Sequence, residues 1–409
     1  MSAPTMGRCT GMVVDTTRTG PPAGIRDRPE RRGLLLLGSG HFVVDMTVGA
    51  LSPLLPLFKR SLTLSDLRTS MVLAGITFSS SFIQPLFGVV ADRVRATWFL
   101  WWGVALASAG LALSGLTTVY WALLALIVVC GLGVGAYHPE AARVANHLAG
   151  PRKASGVAWF TIGGNLGFAF GPLIVALFVP LLDEKTTLVF LVPGAFAFTL
   201  LVLGRHRISH PVAATAAGGR PRGRSDVRGM TLLVTAVSLR TWTQLGLLVI
   251  VPLFLTEQRG MSDRDESLVI FAFVLTGTLG TIAGSAVADR VGGKAMFVGS
   301  IPVAAPLIAA FILVDGPAGI VAFAGAGFIL MASFSATVVM GQEYMPHRLA
   351  LAAAWVLGFA AIGSATPWLP AIGAIADAAG QTAALWIIAA LPIVAAAVAA
   401  FLPPPRAAV

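Results

Sequence analysis

The sequence predicts an all-α membrane protein, with twelve transmembrane helices arranged as two pseudo-symmetric six-helix halves. Three observations predict it. The chain is 56% hydrophobic and only 11% charged, with a mean hydropathy of +0.84, a balance that a soluble chain of 409 residues does not sustain. The charges fall between long apolar runs rather than within them. Finally, the word Val-Ala-Asp-Arg-Val occurs twice, at residues 90–94 and 287–291, and each copy closes a hydrophobic stretch. The offset from Asp92 to Asp289 is 289 − 92 = 197 residues, about half the chain, which marks a duplicated unit.

Twelve apolar runs reach the roughly 18 residues that cross about 30 Å of hydrocarbon as a helix. They begin near Gly33, Arg68, Ala96, Val119, Lys153, Thr187, Met230, Ser267, Ala295, Pro317, Leu349 and Gln381. Strand-like alternation is absent and lipid leaves no partner for unpaired backbone groups, so the runs are helices. Their frequent Gly and Pro suit transmembrane helices better than soluble ones. The chain divides into a tail at 1–32, a first half at 33–204, a linker at 205–229, a second half at 230–403 and a tail at 404–409. The linker is rich in Arg, Gly, Pro and Ala without apolar periodicity, and reads as a tether.

Orientation follows from the basic residues. With the N-terminus cytosolic, 21 of the 28 Lys and Arg fall in inward-facing segments and 6 in outward loops, while Arg240 lies within a span. The bias places both termini in the cytosol. The net charge of +10 and pI near 10.7 are spread over every cytosolic loop, which favours anionic lipid over nucleic acid as partner. Cys9 and Cys130 lie at different depths and imply no disulfide. The first span is too long for a cleaved signal. There is no phosphate loop, metal-ligand spacing or nucleophile beside a base, so no cofactor and no enzymatic activity are expected.

Within the first span, Asp45 is the thirteenth residue of 33–58, close to the bilayer midplane, where an unpaired carboxylate costs at least about 2.5 kcal/mol. It must pair or take up a proton, and a carrier can use the second. His41 stands one turn earlier on the same face, to relay that proton or to hydrogen-bond the carboxylate. Adding the repeat offset to position 45 gives 242, so Arg240 in the seventh span lies at equivalent depth in the other half. A static Asp45–Arg240 ion pair is one reading. The other is competition, in which a proton on Asp45 frees Arg240 for an anionic group of the substrate. Gln84, Asn165, Gln244 and Gln342 are further polar groups in or near spans, as cavity lining or as hydrogen bonds between helices. Trp98, Trp101, Trp102 and Trp121 near helix ends read as interfacial anchors.

The residues around the repeated word resemble a known signature. Twelve spans, a central loop and Gly-x-x-x-Asp-Arg at Gly88, Asp92 and Arg93 resemble the major facilitator superfamily of secondary transporters. The second copy keeps Asp289, Arg290, Gly292 and Lys294, with Ser285 in place of the leading glycine. The segment 41–45, Tyr137-His138-Pro139-Glu140 with Arg143, the run from Gly163, and Gln342-Glu343 with Pro346 and Arg348 are similar to the fosmidomycin resistance protein group of drug efflux carriers. The resemblance implies a cytosolic latch at Asp92, Arg93, Asp289 and Arg290, with Glu140, Arg143, Glu343 and Arg348 as partners; charge that merely sets topology is the plainer reading. Gly163, Gly164, Gly167, Gly171 and Pro172 resemble the signature of proton-driven antiporters, and small residues four apart also serve close helix packing.

The function expected is a monomeric bacterial plasma-membrane carrier that exports small organic molecules or drugs in exchange for protons. Proton-coupled uptake of an anionic metabolite, or a non-transporting scaffold or sensor, are the alternatives.

Overall fold

A computed structural model of the protein describes residues 30–84, 86–87, 97–148, 153–208, 225–346, 352 and 354–403. The first half contains α1 (Arg31–Ser61), α2 (Asp66–Thr77), α3 (Trp98–Ser114), α4 (Tyr120–Leu148), α5 (Lys153–Leu182) and α6 (Leu191–Leu203). The second contains α7 (Val227–Glu257), α8 (Asp263–Val291), α9 (Gly293–Ser300) continued by α10 (Ala304–Leu313), α11 (Pro317–Ala332) continued by α12 (Phe334–Tyr344), then α13 (Trp368–Ala379) and α14 (Gln381–Ala400). Among the described residues, nine helices are long and apolar enough to cross a membrane. One of them, 44 residues long, contains both α5 and α6 across a 3-10 turn at Asp183–Phe190; α3 is a shorter apolar helix. With α2 these account for the twelve runs of the sequence.

Local chemistry explains where the helices start. The Glu30 carboxylate accepts the Gly33 amide at the head of α1, and Asp226 accepts the Gly229 amide at the equivalent head of α7. Ser65 and Ser262 cap α2 and α8 in the same way. Two stretches widen into π-helix, Phe78–Phe82 after α2 and Ala354–Ala360 before α13, and both contribute to the cavity described below.

Close packing in the first half rests on glycine. A Cβ on Gly163, Gly167 or Gly171 of α5 would meet the backbone of Gly38, Phe42 or Met46 of α1, partners spaced four residues apart on both helices. The predicted stripe is thus the contact surface between α1 and α5, where absent side chains allow backbone-to-backbone approach. In the second half, Gly280 and Gly284 of α8 meet the Phe328 and Ala332 carbonyls of α11 alike. Large apolar side chains such as Leu35, Trp98, Trp121 and Phe196 face outward from the bundle, as a lipid-facing surface requires.

Candidate functional site

Three places carry the polar chemistry of the bundle. The first is a triangle at mid-depth in the first half. Asp45 reaches His41 Nε2 at 3.2 Å through Oδ2 and His138 Nε2 at 3.1 Å through Oδ1. The two Nε2 atoms stand 3.2 Å apart. Each imidazole is held from behind: His41 Nδ1 donates to the Phe160 carbonyl and His138 Nδ1 to the Val134 carbonyl, both at 2.9 Å. Phe160 also stacks on the His41 ring at 4.1 Å. Gly164 of α5 leaves the room this requires, because a Cβ there would meet the His41 ring and the Asp45 carboxylate. The expected His41–Asp45 contact is therefore present. The sequence reading missed His138, which it used only as part of a helix-end motif.

The second place is Arg240, and the structure does not bring it to Asp45. Its side chain is 1% exposed, Nε and Nη1 have no hydrogen-bond partner, and the guanidinium lies over the Phe334 ring at 5.3 Å. Among the described residues no carboxylate pairs with it. The reason is helical phase: equal depth does not mean equal face, and a step of two residues turns a helix by about 200°. Trp242, at the position equivalent to 45, faces the seam in its place.

The third place is a cavity of about 530 Å³ between the halves. It is lined by Phe78 and Phe82 from the π-turn of the first half and, in the second, by Ser238, Leu239 and Trp242 of α7 and by Phe359 and Ser364. Trp242 stacks on Trp368 with ring centroids 5.1 Å apart, and its indole nitrogen donates to the Ser364 carbonyl at 3.0 Å. The lining is aromatic and aliphatic with hydroxyls at intervals, and holds no ionisable group. Gln84, Gln244 and Gln342 are half-buried and Asn165 is exposed, and none of the four lines this cavity.

One mouth of the bundle is closed by charge. Lys59 of α1 pairs with Asp66 of α2 and, at 2.7 Å, with Glu257 of α7. Gln381 bonds both acids, Arg60 meets Asp263 at 2.6 Å, and Asp377 accepts the Asp66 and Leu67 amides at the start of α2. Deeper in the same end, Ser52 Oγ donates to the Leu248 carbonyl and Thr77 lies 3.5 Å from Thr366. At the opposite end, Glu140 and Arg143 pair with each other at 2.6 and 2.9 Å, while Asp289 and Glu343 line a small pocket of about 110 Å³. Arg290 is exposed there. Gly88, Asp92, Arg93 and Arg348 lie outside the described residues.

The family model of the Major Facilitator Superfamily matches residues 37–367. The chain belongs to the major facilitator superfamily. Like other carriers of that superfamily it is a multi-pass membrane transporter, and such a transporter binds a small-molecule substrate. It is 27% identical over 394 residues to the fosmidomycin resistance protein of Escherichia coli, covering 94% of each chain. It is also 27% identical to the transporter YfnC of Bacillus subtilis, over 88% of this chain and 90% of that one. A stretch of 152 residues, 35% of this chain and 36% of that one, is 31% identical to the multidrug resistance protein MdtG of Serratia proteamaculans. Two solved structures share the fold. A bacterial homologue of the human lysosomal transporter Spinster, inward-facing and occupied, has a TM-score of 0.80 at 14% identity, covering 92% of this chain and 97% of that one. The nucleoside transporter NupG has a TM-score of 0.72 at 16% identity, covering 91% and 98%.

The Lys59 cluster joins the two halves at one end of the bundle. Removing one partner of a mostly buried ion pair costs about 3 kcal/mol. Lys59→Gln, which strands Asp66 and Glu257, is expected to shift the population at least about tenfold toward the form open at this mouth. Spin labels at Ser61 and Arg264 would report it as a longer distance; an unchanged distance distribution would show that the pairs do not hold this mouth shut.

Proposed function

We propose that the protein is a proton-coupled exporter of small, largely apolar organic molecules in a bacterial plasma membrane. In this reading it works as a monomer with both termini cytosolic, and its basic loops lie against anionic lipid. The observation that carries the reading is the separation of two sites: a carboxylate held by two imidazoles inside one half, and an apolar aromatic cavity at the seam. A proton loads on the first and an organic molecule on the second, which is what exchange requires. With the N-terminus cytosolic, the Lys59 mouth is the outer one, and the seam cavity is then reached from the cytosol, as a drug exporter collecting its load needs. The names of the relatives, fosmidomycin resistance and multidrug resistance, support export over uptake. The cavity's composition supports neutral or lipophilic molecules over anions, because Arg240 is enclosed by protein away from the lining.

In inverted vesicles energised to an acidic interior, an exported molecule enters as protons leave. A compound panel is therefore expected to contain members that collapse the pH gradient. Trp242→Ala is expected to raise the half-maximal concentration at least about tenfold, the loss of one large aromatic contact. A panel of antibiotics and dyes that leaves the gradient intact, while accumulating normally, would exclude antiport. An unchanged concentration dependence in Trp242→Ala would exclude the seam cavity as the substrate site.

A further inference from the structure

We infer that His41, Asp45 and His138 form a binding site for a divalent transition-metal cation of the zinc class, one that excludes the proton from the same triangle. The argument begins with the tautomers. A backbone carbonyl only accepts hydrogen bonds, so the Phe160 and Val134 carbonyls place a hydrogen on each Nδ1 and leave each neutral ring with its lone pair on Nε2. These two lone pairs face each other across 3.2 Å, with a carboxylate 3.1–3.2 Å from both. Three electron-rich groups, two imidazole nitrogens and a carboxylate that offers one oxygen to each, surround one small space, and a cation there satisfies all of them. A proton is one such cation and a metal ion is another.

The dimensions suit a metal. Ligands about 2.0–2.1 Å from zinc at tetrahedral angles stand about 3.3 Å from one another; the two Nε2 atoms are 3.2 Å apart, and each has its own carboxylate oxygen at 3.1–3.2 Å, Oδ2 for His41 and Oδ1 for His138. The three ligand atoms all lie within 4.8 Å of one another. The carbonyl behind each imidazole is the outer contact that fixes ring orientation in metal sites and raises ligand basicity. Gly164 keeps the flank clear, and the Asp45 and His138 side chains retain 21% and 26% exposure, which leaves a fourth position open to water. Two imidazoles with one carboxylate select zinc, nickel, cobalt or copper over magnesium and calcium, which prefer all-oxygen shells. The inference stands on this geometry and holds whether or not transport is proton-coupled.

The test uses the purified full-length chain in detergent, freed of any affinity tag and without a pH gradient, so it is independent of any exchange assay. Titration calorimetry with zinc chloride is expected to show one site per chain, unaffected by excess magnesium. His41→Gln and His138→Gln are each expected to weaken it at least about 100-fold, the upper range for losing even an outer contact. Cobalt(II) supplies a readout that needs no variant: the wild-type protein is expected to give the strong visible bands of a four-coordinate ion. Zinc uptake equal in wild type and in the folded double variant, or a cobalt spectrum of the weak six-coordinate kind, would overturn the inference.

Discussion

Asp45→Asn is expected to uncouple the carrier while leaving it folded and able to bind its load. The amide keeps the shape of the carboxylate and can still contact His41 and His138, but it supplies no negative charge to a cation held between the Nε2 atoms. In inverted vesicles, substrate-driven proton release is expected to fall by about two orders of magnitude, the lower range for losing a positioned proton-transfer group. Quenching of Trp242 fluorescence by the same substrate is expected to be nearly unchanged, because none of the cavity's lining residues belongs to the triangle. A variant that still releases protons at the wild-type rate would remove Asp45 from the coupling mechanism. Loss of both readouts together would show instead that the residue supports the fold.

Gly167→Val is expected to cost the first half a clear part of its stability. A Cβ at this position would meet the Phe42 carbonyl oxygen and lie 2.7 and 2.8 Å from its carbon and Cα, backbone atoms that cannot rotate aside. The helices α1 and α5 must part, and overpacking of this kind costs about 1–3 kcal/mol. Since His41 and Asp45 lie on α1 and Gly164 on α5, the same separation loosens the triangle. Thermal unfolding followed by size exclusion is expected to show a clear drop for Gly167→Val and none for Gly299→Ala, where an added Cβ meets nothing within 4 Å. Equal stability of the two variants would mean that α1 and α5 are not packed through this stripe.

The positions of the spans, their pairing into halves and the depth of Asp45 were legible because length, hydropathy and repetition are properties of one chain read in order. Which face a residue presents was not. Arg240 and Trp242 share a depth, and only the phase of α7 against its neighbours decides that the tryptophan reaches the seam while the arginine lies over Phe334. His138 was hidden for a related reason: it is 97 residues from His41, and their contact depends on how α4 sits beside α1. The charged mouth did carry a signal. Lys59 and Glu257 have opposite charge and are 198 residues apart, within one residue of the repeat offset, so equivalent helix ends meet across the pseudo-twofold axis. Ser52 and Leu248, 196 apart, repeat the pattern one level deeper. Counted by charge alone, the basic residues among them report only on orientation.

The triangle and both carbonyls behind it belong to a single half: His41 and Asp45 on α1, Val134 and His138 on α4, Phe160 on α5. No ligand atom straddles the seam. Were that half to move as one body, the contacts that hold a cation here would travel with it unchanged. A ligand biases an equilibrium only through unequal affinity for its states. Occupancy of this site then biases the swing through the cation's charge, which feels the membrane potential and the field across the seam, rather than through remade ligand contacts.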